Sequence, residues 1–161
     1  MELNIFILLI FLTAASIWDL KERCIPVWVF VLTAIGIVFL ELGCMTNEIF
    51  GNGDVAGRMF VIGKRILPEK LGGMAVGLIL LIISKLTRGQ IGEGDGITFL
   101  ITGFSLGFEN NFLLLLESLL LSFMWSLMLM LFKKINLKTS LPFLPFILTA
   151  FIIRVLPVMS F

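Results

Sequence analysis

The chain contains no histidine, and that absence removes two large classes of chemistry. Ser-His and Cys-His nucleophilic catalysis need an imidazole base, and zinc sites of the usual kind need Cys/His clusters. Only two cysteines are present, Cys24 and Cys44. They form no C-x-x-C pair and fall at opposite ends of one apolar run, so a disulfide between them is not expected. Charge is equally scarce: 14% of residues are charged, against about 25% in a soluble globular domain. The net charge is +1 and the basic residues are spread over several segments, which gives no sign of a nucleic-acid surface. Met1-Glu2-Leu3-Asn4 lacks the basic region that opens a cleavable signal peptide, and no small-residue cleavage site follows. The first apolar run is therefore expected to persist as a helix. No internal repeat or low-complexity tract interrupts the chain.

What is abundant is apolar sequence. Hydrophobic residues make up 59% of the 161 positions and the mean hydropathy is +1.12, the composition of an integral membrane protein. A span needs about 20 apolar residues, which gives room for about five to seven spans and none for a separate soluble domain. The expectation is one membrane domain over residues 1–161. Apolar runs predict helices at about 4–19, 25–42, 71–86, 96–108, 111–132 and 141–159, an all-α polytopic bundle of about six transmembrane helices.

The loops suggest an orientation. With the N-terminus outside, Lys21, Arg23, Lys85, Arg88, Lys133, Lys134 and Lys138 fall on one side and Arg58, Lys64, Arg65 and Lys70 on the other. The richer side is expected to be cytoplasmic. The longest connection runs from Gly43 to Lys70, and its stretch Val55–Ile66 is either an amphipathic segment in the interface or an ordinary solvated loop. Gly73 and Gly77, and Gly103 and Gly107, have the small-xxx-small spacing that lets membrane helices approach closely.

Against this background two acids stand out. Asp19 closes the first run, and Asp95 sits in Gly92-Glu93-Gly94-Asp95 at the lip of another. Near a helix centre a carboxylate costs roughly 2.5 to 3.5 kcal/mol on insertion scales, so intramembrane acids are functional candidates by default. Peptide hydrolysis needs a water, a base to take its proton and an acid to protonate the departing amine. Two adjacent carboxylates sharing one proton supply both. The expectation is that Asp19 and Asp95 meet in space. Asp95, preceding a helix, would be the initial base and Asp19, ending one, the initial acid. Gly92 and Gly94 permit positive φ and close approach of an extended substrate. Gly51-Asn52-Gly53-Asp54 repeats the pattern, but in the long loop and toward the other face, so Asp54 is taken as a turn residue.

More than a generic motif is present. Asp19-Leu20-Lys21-Glu22-Arg23-Cys24-Ile25-Pro26 resembles the signature after the first catalytic helix of type IV prepilin peptidases and preflagellin peptidases. Ile91-Gly92-Glu93-Gly94-Asp95 resembles their second aspartate motif, and Leu141-Pro142-Phe143-Leu144-Pro145-Phe146 is similar to their late P-F-x-P-F element. The three matches keep the family's order across almost the whole chain. The resemblance implies an aspartic endopeptidase of the cell membrane with Asp19 and Asp95 as catalytic pair and no cofactor. It would cut short basic leaders from pilin-like precursors at the cytoplasmic face, before their hydrophobic segment. Its partners would be those precursors and membrane lipid. Val27 stands where family members often have Asn, and Gly96-Ile97-Thr98 where a Lys often follows the second aspartate; both departures bear on substrate detail. The chain resembles the short, peptidase-only form, without the methyltransferase portion and cysteine tetrad of bifunctional members.

Several flanking residues are candidates for substrate contact. Glu22 and Glu93 would attract a basic leader, or would be solvated acids paired with Lys21 or Arg88. Pro142, Phe143 and Pro145 join Gly92, Glu93 and Gly94 as candidate substrate-binding residues. The two prolines would either kink the last helix and free its carbonyls or simply start it. Arg154 would snorkel to the outer surface or pair with Glu41 or Glu109. Two other readings compete: an intramembrane protease of the presenilin kind, and a small transporter whose acids relay protons or bind a cation.

Overall fold

The computed structural model describes residues 2–22, 25–50, 60, 62–87, 92–132 and 142–159, and all the regular structure among them is helical. Helix α1 (Glu2–Glu22) buries Leu8, Phe11, Leu12 and Ala15 along one stripe, while Phe6, Ile10 and Ile17 point outward. Being apolar all round, it suits a lipid surrounding as well as a core. Helix α2 spans Val27–Phe50 and α3 spans Leu67–Leu86, with a proline in the first turn of α3 and a π-helical turn, Ile62–Ile66, leading into it. Helices α4 (Glu93–Leu131) and α5 (Leu144–Met159) complete the chain. Helices α1 to α4 are long and apolar enough to cross a membrane, and Leu144–Val155 forms a shorter apolar helix. The protein is a multi-pass membrane protein.

Helix α4 is two arms. Gly107 has φ 79° and ψ 176°, a backbone that no helix interior accepts and that glycine tolerates without a Cβ clash. Asn111 Nδ2 donates to the carbonyl of Phe99 at 2.9 Å although the residues are 12 apart in sequence. In a continuous helix that separation would span about 18 Å, so the chain folds back at Gly107. The two arms correspond to the separate runs at 96–108 and 111–132. The described helices thus comprise six helical segments, while four whole helices meet the length and hydropathy of a span.

Glycine spacing shapes the contact of α3 with the first arm of α4, the most extensive in the bundle. A Cβ on Gly73 would strike the Gly103 carbonyl oxygen, one on Gly103 would strike that of Gly73, and one on Gly77 would strike the Leu100 backbone. These helices meet backbone to backbone, as the small-residue spacing predicted. Gly107 takes part too, since a Cβ on Gly73 would also strike its backbone, and it serves the break as well.

The helices antiparallel to one another divide polar groups between two ends. At one end, the start of α1, the end of α2 and the start of α3 meet: Asn4 Nδ2 donates to Glu41 Oε1 at 2.8 Å, and Lys70 Nζ pairs with Glu41 Oε2 at 2.6 Å. At the other, the end of α1 meets the start of α2, with Trp18 and Trp28 edge to face at 5.6 Å. Lys70 is therefore not a loop cation but a member of an internal pair. The expected 43–70 connection is also helical at both ends, since α2 continues to Phe50 and helix resumes at Ile62. Residues 51–59 and 61, Asp54 and Arg58 among them, lie outside the described residues.

Candidate active site

Asp19 occupies the last turn of α1, and Asp95 the first turn of α4, where Gly92 is the N-cap and the Asp95 N–H donates to the Gly92 carbonyl at 3.2 Å. Asp95 thus lies inside the helix rather than ahead of it. Remote in sequence, the two carboxyl groups come close enough for the charge on Asp19 to act on Asp95. Both are half-buried, set at the same end of the bundle.

A third element joins them. The backbone N–H of Leu144, the first residue of α5, donates to Asp19 Oδ2 at 3.2 Å. Asp19 therefore ends one helix and faces the start of another, where unpaired N–H groups and the positive dipole end favour a carboxylate. Asp19 thus still ends α1 while its carboxyl group, like Asp95, also faces a helix N-terminus, which weakens the contrast on which the acid and base roles were divided.

The residues flanking the pair fall into place as follows. Gly92 has φ −62° and ψ 128°, and Gly94 is helical; neither uses positive φ, contrary to expectation, and Gly107 is the only glycine with positive φ among the described residues. Their neighbours are the chain's own: a Cβ on Gly92 would lie 3.1 Å from Asp95 Oδ2, and one on Gly94 would make ordinary contact with Ile25 Cδ1 at 3.5 Å. Gly96, not singled out by spacing, packs against Leu81 of α3 and holds the first turn of α4 down. Glu22 and Glu93 are exposed at the adjacent helix ends, as is Lys21, whereas Arg88 and Ile91 lie outside the described residues, as do Arg23 and Cys24.

The late proline element forms the start of α5. Pro145 stands in the first turn, where a missing N–H costs nothing, so it initiates the helix rather than kinking it. The Phe143 carbonyl accepts the N–H groups of Phe146 and Ile147 at 3.0 and 3.3 Å, and the Phe143 ring packs on Phe99 at 6.4 Å between centroids. Phe99 is fully buried one helical turn beyond Asp95. Pro142, Phe143 and Pro145 are each partly buried.

Sequence reasoning missed Asn111 and Glu117, two polar residues that hold this frame. Asn111, fully buried, accepts a hydrogen bond from Thr102 Oγ1 at 2.8 Å and donates to the carbonyls of Phe99 and Gly73 at 2.9 and 3.1 Å. Arg154 pairs with Glu117, not with Glu41 or Glu109, at 2.8 Å from Nη2 and 3.3 Å from Nε; its Nη1 reaches the Asn110 side-chain oxygen at 3.3 Å. Glu41 is taken by Lys70 and Asn4. No cluster of three or more Cys, Asp or Glu side chains that could hold a metal occurs among the described residues.

No curated protein and no solved structure matches the chain. The sequence profile of the type IV leader peptidase family matches residues 6–158, a span that takes in α1 with Asp19, the turn into α4 with Asp95 and nearly all of α5, and the chain belongs to that family.

Proposed function

We propose that the protein is an aspartic endopeptidase that removes a short basic leader from pilin-like or flagellin-like precursors at the cytoplasmic membrane face. The observation that supports the reading is that Asp19 and Asp95 lie at one end of an apolar bundle, near enough for the charge of one to act on the other, in a member of a leader peptidase family. A water between the carboxyl groups gives its proton to the ionised one as its oxygen attacks the scissile carbonyl carbon. The other carboxyl gives its proton to the amide nitrogen as the C–N bond breaks, so the pair ends with one proton, as it began. The supporting frame is chemical: no histidine is available to act as base, and both acids lie where charge is costly unless it is used.

Orientation follows the loop charges. With Lys70 inside the bundle, the sequence leaves three cations, Arg58, Lys64 and Arg65, expected on the far side against seven expected on the side of the aspartates, which supports a cytoplasmic site. The six helical segments support six crossings, with the first arm of α4 as a short one. Exposed Glu22 and Glu93 flank the pair and suit a basic leader.

The test is cleavage by the purified protein, reconstituted in liposomes, of a precursor with a basic leader ahead of a hydrophobic helix. Asp19→Asn and Asp95→Asn are each expected to abolish product while keeping the unfolding midpoint, and Asp54→Asn to retain cleavage. Full activity in either of the first two variants would refute the aspartate pair.

A further inference from the structure

The P-F-x-P-F element does not stop at starting a helix. We infer that the backbone N–H of Leu144 is a positioning group for Asp19, fixing the direction in which that carboxyl group faces Asp95, and that the proline element exists to present this amide. The inference rests on the aspartate-pair reading.

Three observations converge on it. Leu144 N–H donates to Asp19 Oδ2 at 3.2 Å, a bond closed across 125 residues of sequence. The amide is available because it belongs to the first residue of α5, where no preceding turn can claim it. Its place is set from both sides. The Leu144 side chain is buried at 2% exposure, and the Phe143 ring immediately before it rests on Phe99, one turn from Asp95 in α4. The start of α5 therefore touches the helix of one aspartate and bonds the side chain of the other.

Proline chemistry explains why the motif has this form. Pro145, at the second helical position, gives up an N–H that would otherwise be a second unpaired donor in the same turn. Each proline fixes its own φ near about −65°. Pro142 and Pro145 thus stiffen the backbone on either side of the donated amide. A carboxyl group held by a rigid donor keeps one orientation through the reaction, and such preorganisation acts on the chemical step rather than on substrate affinity.

The experiment removes the N–H by placing the α-hydroxy acid analogue of leucine at position 144, so that an ester replaces the amide; the same change weakens the Phe143 carbonyl as an acceptor for Phe146 and Ile147, a pairing that the control also perturbs. The control places the corresponding isoleucine analogue at position 147, whose N–H bonds the Phe143 carbonyl within the same helix turn and does not reach Asp19. With a precursor substrate in liposomes, the 144 ester is expected to lower kcat about tenfold with KM unchanged, the lower end of what a hydrogen bond to a charged group supplies. The 147 ester is expected to keep kcat within about twofold, and both to unfold at the same midpoint. Equal kcat in the two esters would overturn the inference. So would a raised KM with kcat retained at 144, which would make the element a substrate contact. The Asp19→Asn variant in the same assay separates the two claims: if it cleaves normally the aspartate pair itself fails, whereas its inactivity beside a fully active 144 ester defeats the positioning role alone.

Discussion

At the scale of single residues, Asn111 ties together three stretches of chain. Its side chain accepts from Thr102 and donates to backbone carbonyls of α3 and of the first arm of α4, with no exposure of its own. Leucine at this position has similar volume but leaves a hydroxyl and two carbonyls without that partner. Asn111→Leu is expected to cost about 2 kcal/mol, summing modest interhelical bonds in a bilayer protein, measured by unfolding in mixed micelles; a change below about 0.5 kcal/mol would count against the clamp. Glycines make a sharper contrast. A Cβ on Gly73 meets a backbone oxygen that no rotamer change can move, whereas a Cβ on Gly36 of α2 meets nothing within 4 Å. Gly36→Ala is expected to be neutral or to stabilise by up to about 1 kcal/mol through helix propensity. Gly73→Ala must push α3 from α4. Because Gly103→Ala forces the same separation, the double variant is expected to cost less than the two single costs added together.

At the scale of elements, the helices were legible and their joints were not. Apolar runs located α1 to α5 to within a few residues at most ends, since a span must be apolar along its length whatever it packs against. The gap between runs at Glu109 and Asn110 marked two segments, yet the backbone places the turn at Gly107, a residue that spacing assigned to packing and that does pack against Gly73. The aspartates were visible because acids are rare in such runs. The amide opposite Asp19 was not, because its donor is backbone, 125 residues away, and carries no side-chain signature. Arg154 was misassigned for a related reason: Glu117 hides within the apolar run of the second arm of α4, and acids near helix ends were the obvious partners. The pair joins α5 to that arm with side-chain exposures of 24% and 43%. A double-mutant cycle on Arg154→Ala and Glu117→Ala is expected to give a coupling energy of about 1 kcal/mol, in the range of polar contacts between membrane helices. No coupling would mean that α5 is held by its apolar stripe, Ile147, Phe151 and Val155, and by the contacts at its start, without help from this pair.

For the whole molecule, the end opposite the aspartates is closed by charge. Glu41 is only 7% exposed, takes Asn4 of α1 and Lys70 of α3, and through Lys70 reaches α4, where Nζ lies 3.5 Å from the Phe104 carbonyl and 5.5 Å from its ring centroid. One ion pair thus gathers four helices that meet again, at the other end, around Asp19 and Asp95. Burying such a pair gains little over an apolar substitute, but removing one member strands the other charge in a low-dielectric site. Lys70→Met is therefore expected to destabilise by about 3 kcal/mol or more, and adding Glu41→Gln to recover much of that loss, since the stranded carboxylate is gone. The readout is unfolding in mixed micelles for both single variants and the double, with cleavage measured alongside. Because the cluster lies a helix length from the reacting groups, the double variant is expected to keep its kcat once folded. If stability recovers but kcat stays depressed, the far end does more than hold the bundle, and the two ends are mechanically coupled. If stability does not recover, the cost of Lys70→Met comes from its packing on Phe104 and not from the bare Glu41 charge.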